Sequence, residues 1–110
     1  MQTVELHAKG RKSGDVHSTW LTAPICEPDR VILVASKGGH SEHPQWYKNL
    51  VANPDVELTI DDDRKAYTAR TASADERAEL WNTITSRFKN YAGYQASTDR
   101  EIPVVMCEPA

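Results

Sequence analysis

Two short glycine-bounded segments carry the groups best suited to holding an anion. Gly10-Arg11-Lys12-Ser13-Gly14 puts two cations and a hydroxyl in one turn, and Ser36-Lys37-Gly38-Gly39 puts a hydroxyl, an ammonium and a flexible backbone at the end of an apolar run. Side chains of this kind, with the backbone N–H groups of tight turns, converge on phosphate or carboxylate oxygens; the ordinary alternative is a pair of solvated turns. A third set is aromatic: Trp46 and Tyr47, then Trp81, Phe88, Tyr91 and Tyr94. Aromatic surface beside anion-binding turns suits a flat ring system carrying a phosphorylated tail. Taken singly, Trp81 and Phe88 at helical spacing read as core, whereas Tyr91 and Tyr94 carry phenols on a less regular segment.

Other chemistries find little support. There is no G-x-G-x-x-G after a strand, no G-x-x-x-x-G-K-[ST] and no G-x-S-x-G, so the Rossmann, P-loop and nucleophile-elbow patterns are absent. His40 and His43, with Glu42 between them, offer metal-binding atoms but lie in a loop without a further obvious ligand, so no metal site is read. Cys26 and Cys107 are far apart and sit in apolar strand contexts; both read as buried thiols rather than nucleophiles or disulfide partners.

The chain has 110 residues, 39% of them hydrophobic and 26% charged, which is the composition of one ordinary globular domain spanning 1–110. No apolar run has the ~20 residues of a membrane span and no signal peptide opens the chain, so a cytosolic protein is expected. The net charge of −3 is unevenly spread: residues 1–48 hold six Lys and Arg against five Asp and Glu, and residues 49–110 hold seven against eleven. An acidic protein with a local basic region fits a small anionic ligand better than a nucleic acid.

The elements that must position these groups follow from periodicity. Val4, Leu6 and Ala8 alternate with polar neighbours, the basic turn interrupts, and Val16 to Ala23 resumes as a returning strand. Pro24 and Glu27-Pro28-Asp29 read as turn, and Val31–Ala35 as a strand buried on both faces. Pro44 fits a first helical position, with Trp46, Tyr47, Leu50 and Val51 at helical spacing until Asn53-Pro54. Val56, Leu58 and Ile60, the acidic turn Asp61-Asp62-Asp63, and residues 66–71 form a second hairpin. Ser73 with Glu76 is a capping box for a helix whose stripe is Leu80, Trp81, Ile84 and Phe88, with a break near Asn90. Ile102–Cys107 closes as a strand with Pro103 near its start. The expected fold is α+β: about six antiparallel strands closed into a small barrel, with two to three helices.

Four ordered motifs make the chain recognisable: Gly10-Arg11-Lys12-Ser13-Gly14; Val34-Ala35-Ser36-Lys37-Gly38-Gly39; His43-Pro44-x-Trp46-Tyr47-x-Asn49-Leu50-x-Ala52-Asn53-Pro54; and Thr98-Asp99-Arg100-x-Ile102-Pro103-Val104-Val105. Together they closely resemble the deazaflavin-dependent nitroreductase and quinone reductase family. The resemblance implies a split β-barrel that binds coenzyme F-420, a deazaflavin with a phosphate and an oligoglutamate tail, and passes its hydride to quinones or nitroaromatics. It implies that Arg11, Lys12 and Ser13 hold the phosphate and acidic tail, with His17, Ser18, Thr19 and Thr22 flanking the cofactor. Val34, Ala35, Ser36 and Lys37 would line the deazaflavin and phosphate, and Gln45, Trp46, Tyr47, Lys48 and Asn49 would close the other side. Tyr91 and Tyr94 would face the acceptor, supplying a hydrogen bond and a proton; Ser36 would help orient substrate or cofactor, and Tyr91 would also touch the cofactor.

The sequence departs from the family where His17 replaces arginine, Trp20 replaces proline and Phe88 replaces a tyrosine, and it starts almost at the first strand, without the N-terminal helix common in relatives. The partners implied are a small electron-poor acceptor and no nucleic acid, with peripheral membrane contact left open, in a monomer or homodimer. Two other readings stand beside this one: a flavin mononucleotide-dependent reductase on the same barrel, and a non-catalytic cofactor-binding protein.

Overall fold

A computed structural model describes residues Met1–Ala110. The glycine-bounded turn reverses the chain between β1 (Gln2–Lys9) and β2 (Val16–Ala23), which pair antiparallel from Gln2 opposite Ala23 to Lys9 opposite Val16. A short β3 (Ile25–Glu27) then turns through Pro28 and Asp29 into β4 (Arg30–Val34). The sequence reading counts no separate strand between the turns at Pro24 and Glu27-Pro28-Asp29, because three residues show no alternation; the pairing of residues 25–27 with β4 makes seven strands rather than about six. β5 (Asp55–Ile60) and β6 (Asp63–Thr71) form the second hairpin, and β7 (Val104–Pro109) lies between β6 and β4.

The strand order is β2-β1-β5-β6-β7-β4-β3. β2 and β3 stand at opposite ends of that order yet are joined through Pro24 alone, and two peptide steps span at most roughly 7 Å. The sheet must therefore curl until its edges approach, and β2 lies against β4. This curled antiparallel sheet is the barrel-like α+β fold expected from the hairpin order.

Curling creates two cores. Val4, Leu6, Val31, Leu33, Leu58, Val105 and Cys107 are fully buried inside the curl. On the outer face, Ile32, Val34, Val104 and Met106 pack with Leu80 and Ile84 of α2 (Ala74–Arg87) and Tyr91 of α3 (Asn90–Ala96). β4 reads as a continuous apolar run because one face meets the barrel interior and the other meets these helices. Each fully buried Leu or Ile contributes about 1.5–3 kcal/mol. The capping box at α2 forms as the spacing predicts: the Ser73 hydroxyl accepts from the Glu76 N–H and the Glu76 carboxylate accepts from the Ser73 N–H. Glu76 also takes a two-pronged ion pair from Arg70, which with the Ser73 bonds holds its carboxyl down at about 2.

α1 (Gln45–Ala52) covers one end of the barrel, sending Leu50 into the core and Trp46 and Tyr47 partly so. Pro44 stands just before the first helical residue instead of at it, and Val51 faces solvent, since a two-turn helix on a barrel end buries only a narrow stripe. A further correction concerns Cys26, which is exposed: β3 is a three-residue edge strand with a neighbour on one side only. Cys107 is fully buried, and burial pushes its thiol up to about 12; Cys26 is raised as well, by partial burial and then by Asp61. Iodoacetamide at about pH 9 is therefore expected to alkylate Cys26 alone in the folded protein and both cysteines in denaturant. Mass spectrometry of native digests checks this, and native labelling of Cys107 would contradict it.

Candidate functional site

The basic turn and the start of α1 form one unit. Arg11 donates its backbone N–H to Asn49 Oδ1 at 3.2 Å, its Nη1 to the same oxygen at 2.8 Å and its Nη2 to Gln45 Oε1 at 2.9 Å. Asn49, 7% exposed, is thus a buried polar clip joining residues 38 positions apart. Lys12 makes no bond or ion pair in the protein, leaving its ammonium free. Gly10 is needed for close approach: a Cβ there would meet the His17 ring at 2.7 Å, and His17 Nε2 lies 3.3 Å from Ser13 Oγ. The N–H groups of Gln45 and Trp46 at the helix start have no backbone acceptor, as the first turn of any helix requires.

The second turn has a backbone shaped for anions. Ser36 is right-handed (φ −76°, ψ −37°), and Lys37, Gly38 and Gly39 follow with φ of 46°, 62° and 82°. A right-handed residue followed by a left-handed one points successive N–H groups into a concavity. The N–H groups of Ser36, Lys37 and Gly38 all lack a backbone acceptor, while Gly39 and His40 close the turn on Ser36 and Lys37 carbonyls. A lysine held left-handed costs about 1–2 kcal/mol, so the surroundings must fix this turn.

Two adjoining grooves open between these turns. The first, about 530 Å³, is walled by Arg11, Lys12, Ser13, His17, Gln45 and Asn49, with Ser18 and Thr19 along its floor. The second, about 450 Å³, has Thr22, Val34, Ser36, Lys37 and Tyr91 on its wall, with apolar surface from Trp20 and Leu21 and the buried Leu33 behind them. Trp46 borders both. Neither groove has an acidic side chain on its wall, in a chain of net charge −3. The pair can hold an extended anion against the first and a flat ring against the second.

Several residues singled out in the sequence stand behind these walls. Ala35 is buried, and its carbonyl accepts from Arg100. Tyr47 turns its hydroxyl to Thr71 Oγ1 at 2.8 Å and sets its ring edge-on to Trp46 and His43, bracing Trp46 from behind. Lys48 and Tyr94 line neither groove. Ser18 lines the first, but its hydroxyl is engaged by His7 Nδ1 at 2.7 Å. The Tyr91 hydroxyl donates to Met1 Sδ at 3.2 Å and lies 3.5 Å from Thr22 Oγ1; Tyr94 packs edge-on against that ring at 6.0 Å.

Sequence reasoning missed Leu21 and Leu33 on the groove wall and assigned Arg100 no task. The two leucines could have been found from strand alternation, since Leu21 follows Thr19 on the inward face. Nothing in the spacing of Arg100 points to its partners, which lie 57 to 65 residues earlier.

Comparison with known proteins places this geometry. The family description "F420H(2)-dependent quinone reductase" matches residues 1–109. A Mycobacterium tuberculosis protein whose name places it in that family is 40% identical over 107 residues, covering 97% of this chain and 89% of its own. A solved structure titled as an F420-H2 dependent reductase superposes with a TM-score of 0.85 at 37% identity, covering 97% of this chain and 94% of that one. Another, described as a domain-swapped dimer, has a TM-score of 0.86 at 37% identity over 97% of this chain and 80% of that one. These matches favour F420 over flavin mononucleotide. With the barrel and both turns matched along almost the whole length, the chain belongs to the F420H(2)-dependent quinone reductase family.

Proposed function

We propose that the protein binds reduced coenzyme F420 across its two grooves and catalyses hydride transfer to a quinone. The observation that carries this reading is the pair of acid-free grooves that meet at Trp46, one basic and one with apolar walls and an N–H concavity. The residues fit the group: a phosphorylated, carboxylate-rich tail meets Arg11, Lys12 and the α1 N-terminus, and a ring with carbonyl oxygens meets the N–H groups of Ser36, Lys37 and Gly38. When bound, the reduced deazaflavin supplies the hydride.

The chain's own residues supply orientation, charge balance and a proton. Trp46, braced by Tyr47, fixes the boundary between ring and tail. Trp20 and Leu21, over the buried Leu33, give one side of the second groove an apolar wall for a ring. Tyr91 lines that groove, and its hydroxyl would exchange the weak Met1 Sδ acceptor for an acceptor oxygen that gains negative charge. Nitroaromatics present oxygens of the same kind and belong to the same acceptor class. The homodimer is the assembly favoured by the relative described as a domain-swapped dimer. No helix is long and apolar enough to cross a membrane.

Mixing the protein with reduced F420 and menadione, and following cofactor oxidation by absorbance, tests the reading. Turnover with F420 and none with reduced flavin mononucleotide is expected; absence of F420 binding and of turnover with several quinones would sink it. Lys12→Ala separates charge from geometry, because the Lys12 side chain makes no hydrogen bond or ion pair within the protein. Its F420 Kd is expected to rise about three- to tenfold at low ionic strength and to approach wild type in about 1 M salt, where screening acts over roughly 3 Å. An equal Kd at low salt would remove Lys12 from the tail site.

A further inference from the structure

Arg100 is a half-buried cation without a carboxylate. Its Nε donates to the His40 carbonyl at 2.8 Å, its Nη1 to the Ala35 carbonyl at 3.1 Å and to His43 Nδ1 at 3.0 Å, and its Nη2 to the Ser36 carbonyl at 2.7 Å. None of the protein's ion pairs includes Arg100 or His43. The guanidinium therefore spends its fork on four acceptors of one segment, residues 35–43, which contains the left-handed turn at Lys37.

The backbone behind Arg100 is fixed in its turn. Gln95 of α3 donates to the Arg100 carbonyl at 2.8 Å and accepts the Ile102 N–H at 2.9 Å, and Arg77 of α2 bonds the same Gln95 oxygen at 3.0 Å. A rigid anchor thus runs from the two outer helices through Arg100 to the carbonyl side of the Ser36 turn. Carbonyls gripped by a cation leave the N–H groups on the other side of the turn more strongly polarised and aimed at the groove.

We propose that Arg100 is a positioning residue, whose guanidinium holds the Ser36–Lys37 turn in its anion-binding form and fixes His43 as a hydrogen-bond acceptor behind it. The proposal rests on the reading of that turn as part of the cofactor site. Because Nη1 donates to Nδ1, His43 carries its proton on Nε2 and stays uncharged. The charged groups facing it are Arg100 before β7 and Lys48 on α1, with the Tyr47 ring on its other side. Burial first, then these two cations, lower its tendency to take a second proton. A neutral His43 keeps Arg100 bonded; a protonated one would repel it and release the turn.

The test compares wild type, Arg100→Met and Arg100→Lys, using long-range 1H–15N NMR of His43, amide shifts of Lys37 and Gly38 in the free protein, and the Kd, KM and kcat for F420. In wild type, His43 is expected as the Nε2–H tautomer, titrating below the ordinary histidine value of about 6.5. In Arg100→Met its titration midpoint rises, the Lys37 and Gly38 amides shift, and the F420 Kd and KM rise about tenfold or more while kcat changes less than about threefold. Arg100→Lys keeps the charge and loses the fork, so His43 stays low while the amides and Kd move as in the Met variant. A wild-type His43 carrying its proton on Nδ1, or titrating near 6.5, overturns the proposal even if no variant folds. So does an Arg100→Met protein with unchanged amides and His43. If wild type does not bind F420, the reading of the function fails, while the His43 and amide measurements still decide the role of Arg100.

Discussion

Gly39→Ala is expected to destabilise the protein by about 3 kcal/mol and to lower its melting temperature by roughly 12 °C, while Gly38→Ala costs only about 1 kcal/mol. Both glycines are left-handed, with φ of 82° and 62°, so an alanine at either position pays a backbone penalty. Space separates them. A Cβ at Gly39 would lie 2.8 Å from the Tyr94 carbonyl oxygen, 3.0 Å from Ser97 Cβ and 3.2 Å from Tyr94 Cα, whereas a Cβ at Gly38 meets nothing within 4 Å. Two of the three atoms at Gly39 are backbone of α3 and cannot swing away, so either the helix or the Ser36–Gly39 turn must move. Because that turn borders the second groove, F420 affinity should fall with stability in Gly39→Ala and much less in Gly38→Ala. Thermal unfolding of the two variants measures the difference, and equal melting temperatures would show that the contact with α3 carries no weight.

The same comparison shows how far the sequence could be read. Gly38-Gly39 announces a turn that side chains rarely adopt, but not that one glycine is there for φ and the other for a neighbour 55 residues away. Local signals were legible throughout. The capping box at Ser73 and Glu76 needs only a spacing of three, and the hairpin over residues 2–23 needs only alternation and a glycine-bounded turn. The apolar run Val31–Val34 even reported burial on both faces, although which face met the barrel and which the helices depended on partners distant in the chain.

What escaped was decided by geometry at a distance. Periodicity places Trp46 and Tyr47 on adjacent helix positions but cannot say that the indole borders both grooves while the phenol turns away to Thr71. Cys26 sits among apolar residues in the sequence, yet its strand is the last in the sheet, and an edge leaves it in solvent. Arg100 looks like any charged residue of a loop; its four acceptors become its neighbours only once β4, α3 and β7 are assembled. Motif resemblance carried the family, because motifs compress exactly this kind of long-range constraint into local strings.

Arg11→Ala is expected to raise the F420 Kd about 30- to 100-fold at low salt and to leave a loss of about tenfold in 1 M salt, where the effect of Lys12→Ala has nearly vanished. The two residues are neighbours with the same charge, so a purely electrostatic role predicts the same salt dependence for both. Arg11 differs in being built into the wall: two side-chain bonds, of 2.8 Å and 2.9 Å, tie the basic turn to Asn49 and Gln45 at the start of α1. Removing them lets the turn drift from the helix start, and the groove loses its shape along with one charge. Geometry is not screened by salt, so that part of the loss must persist. Folding should change by less than about 1 kcal/mol, because the side chain is exposed and Asn49 keeps the Arg11 backbone N–H at 3.2 Å. Calorimetric titration of both variants across ionic strength gives the result directly. Parallel recovery of Arg11→Ala and Lys12→Ala in high salt would reduce Arg11 to a surface charge and leave the clip to α1 without a part in binding.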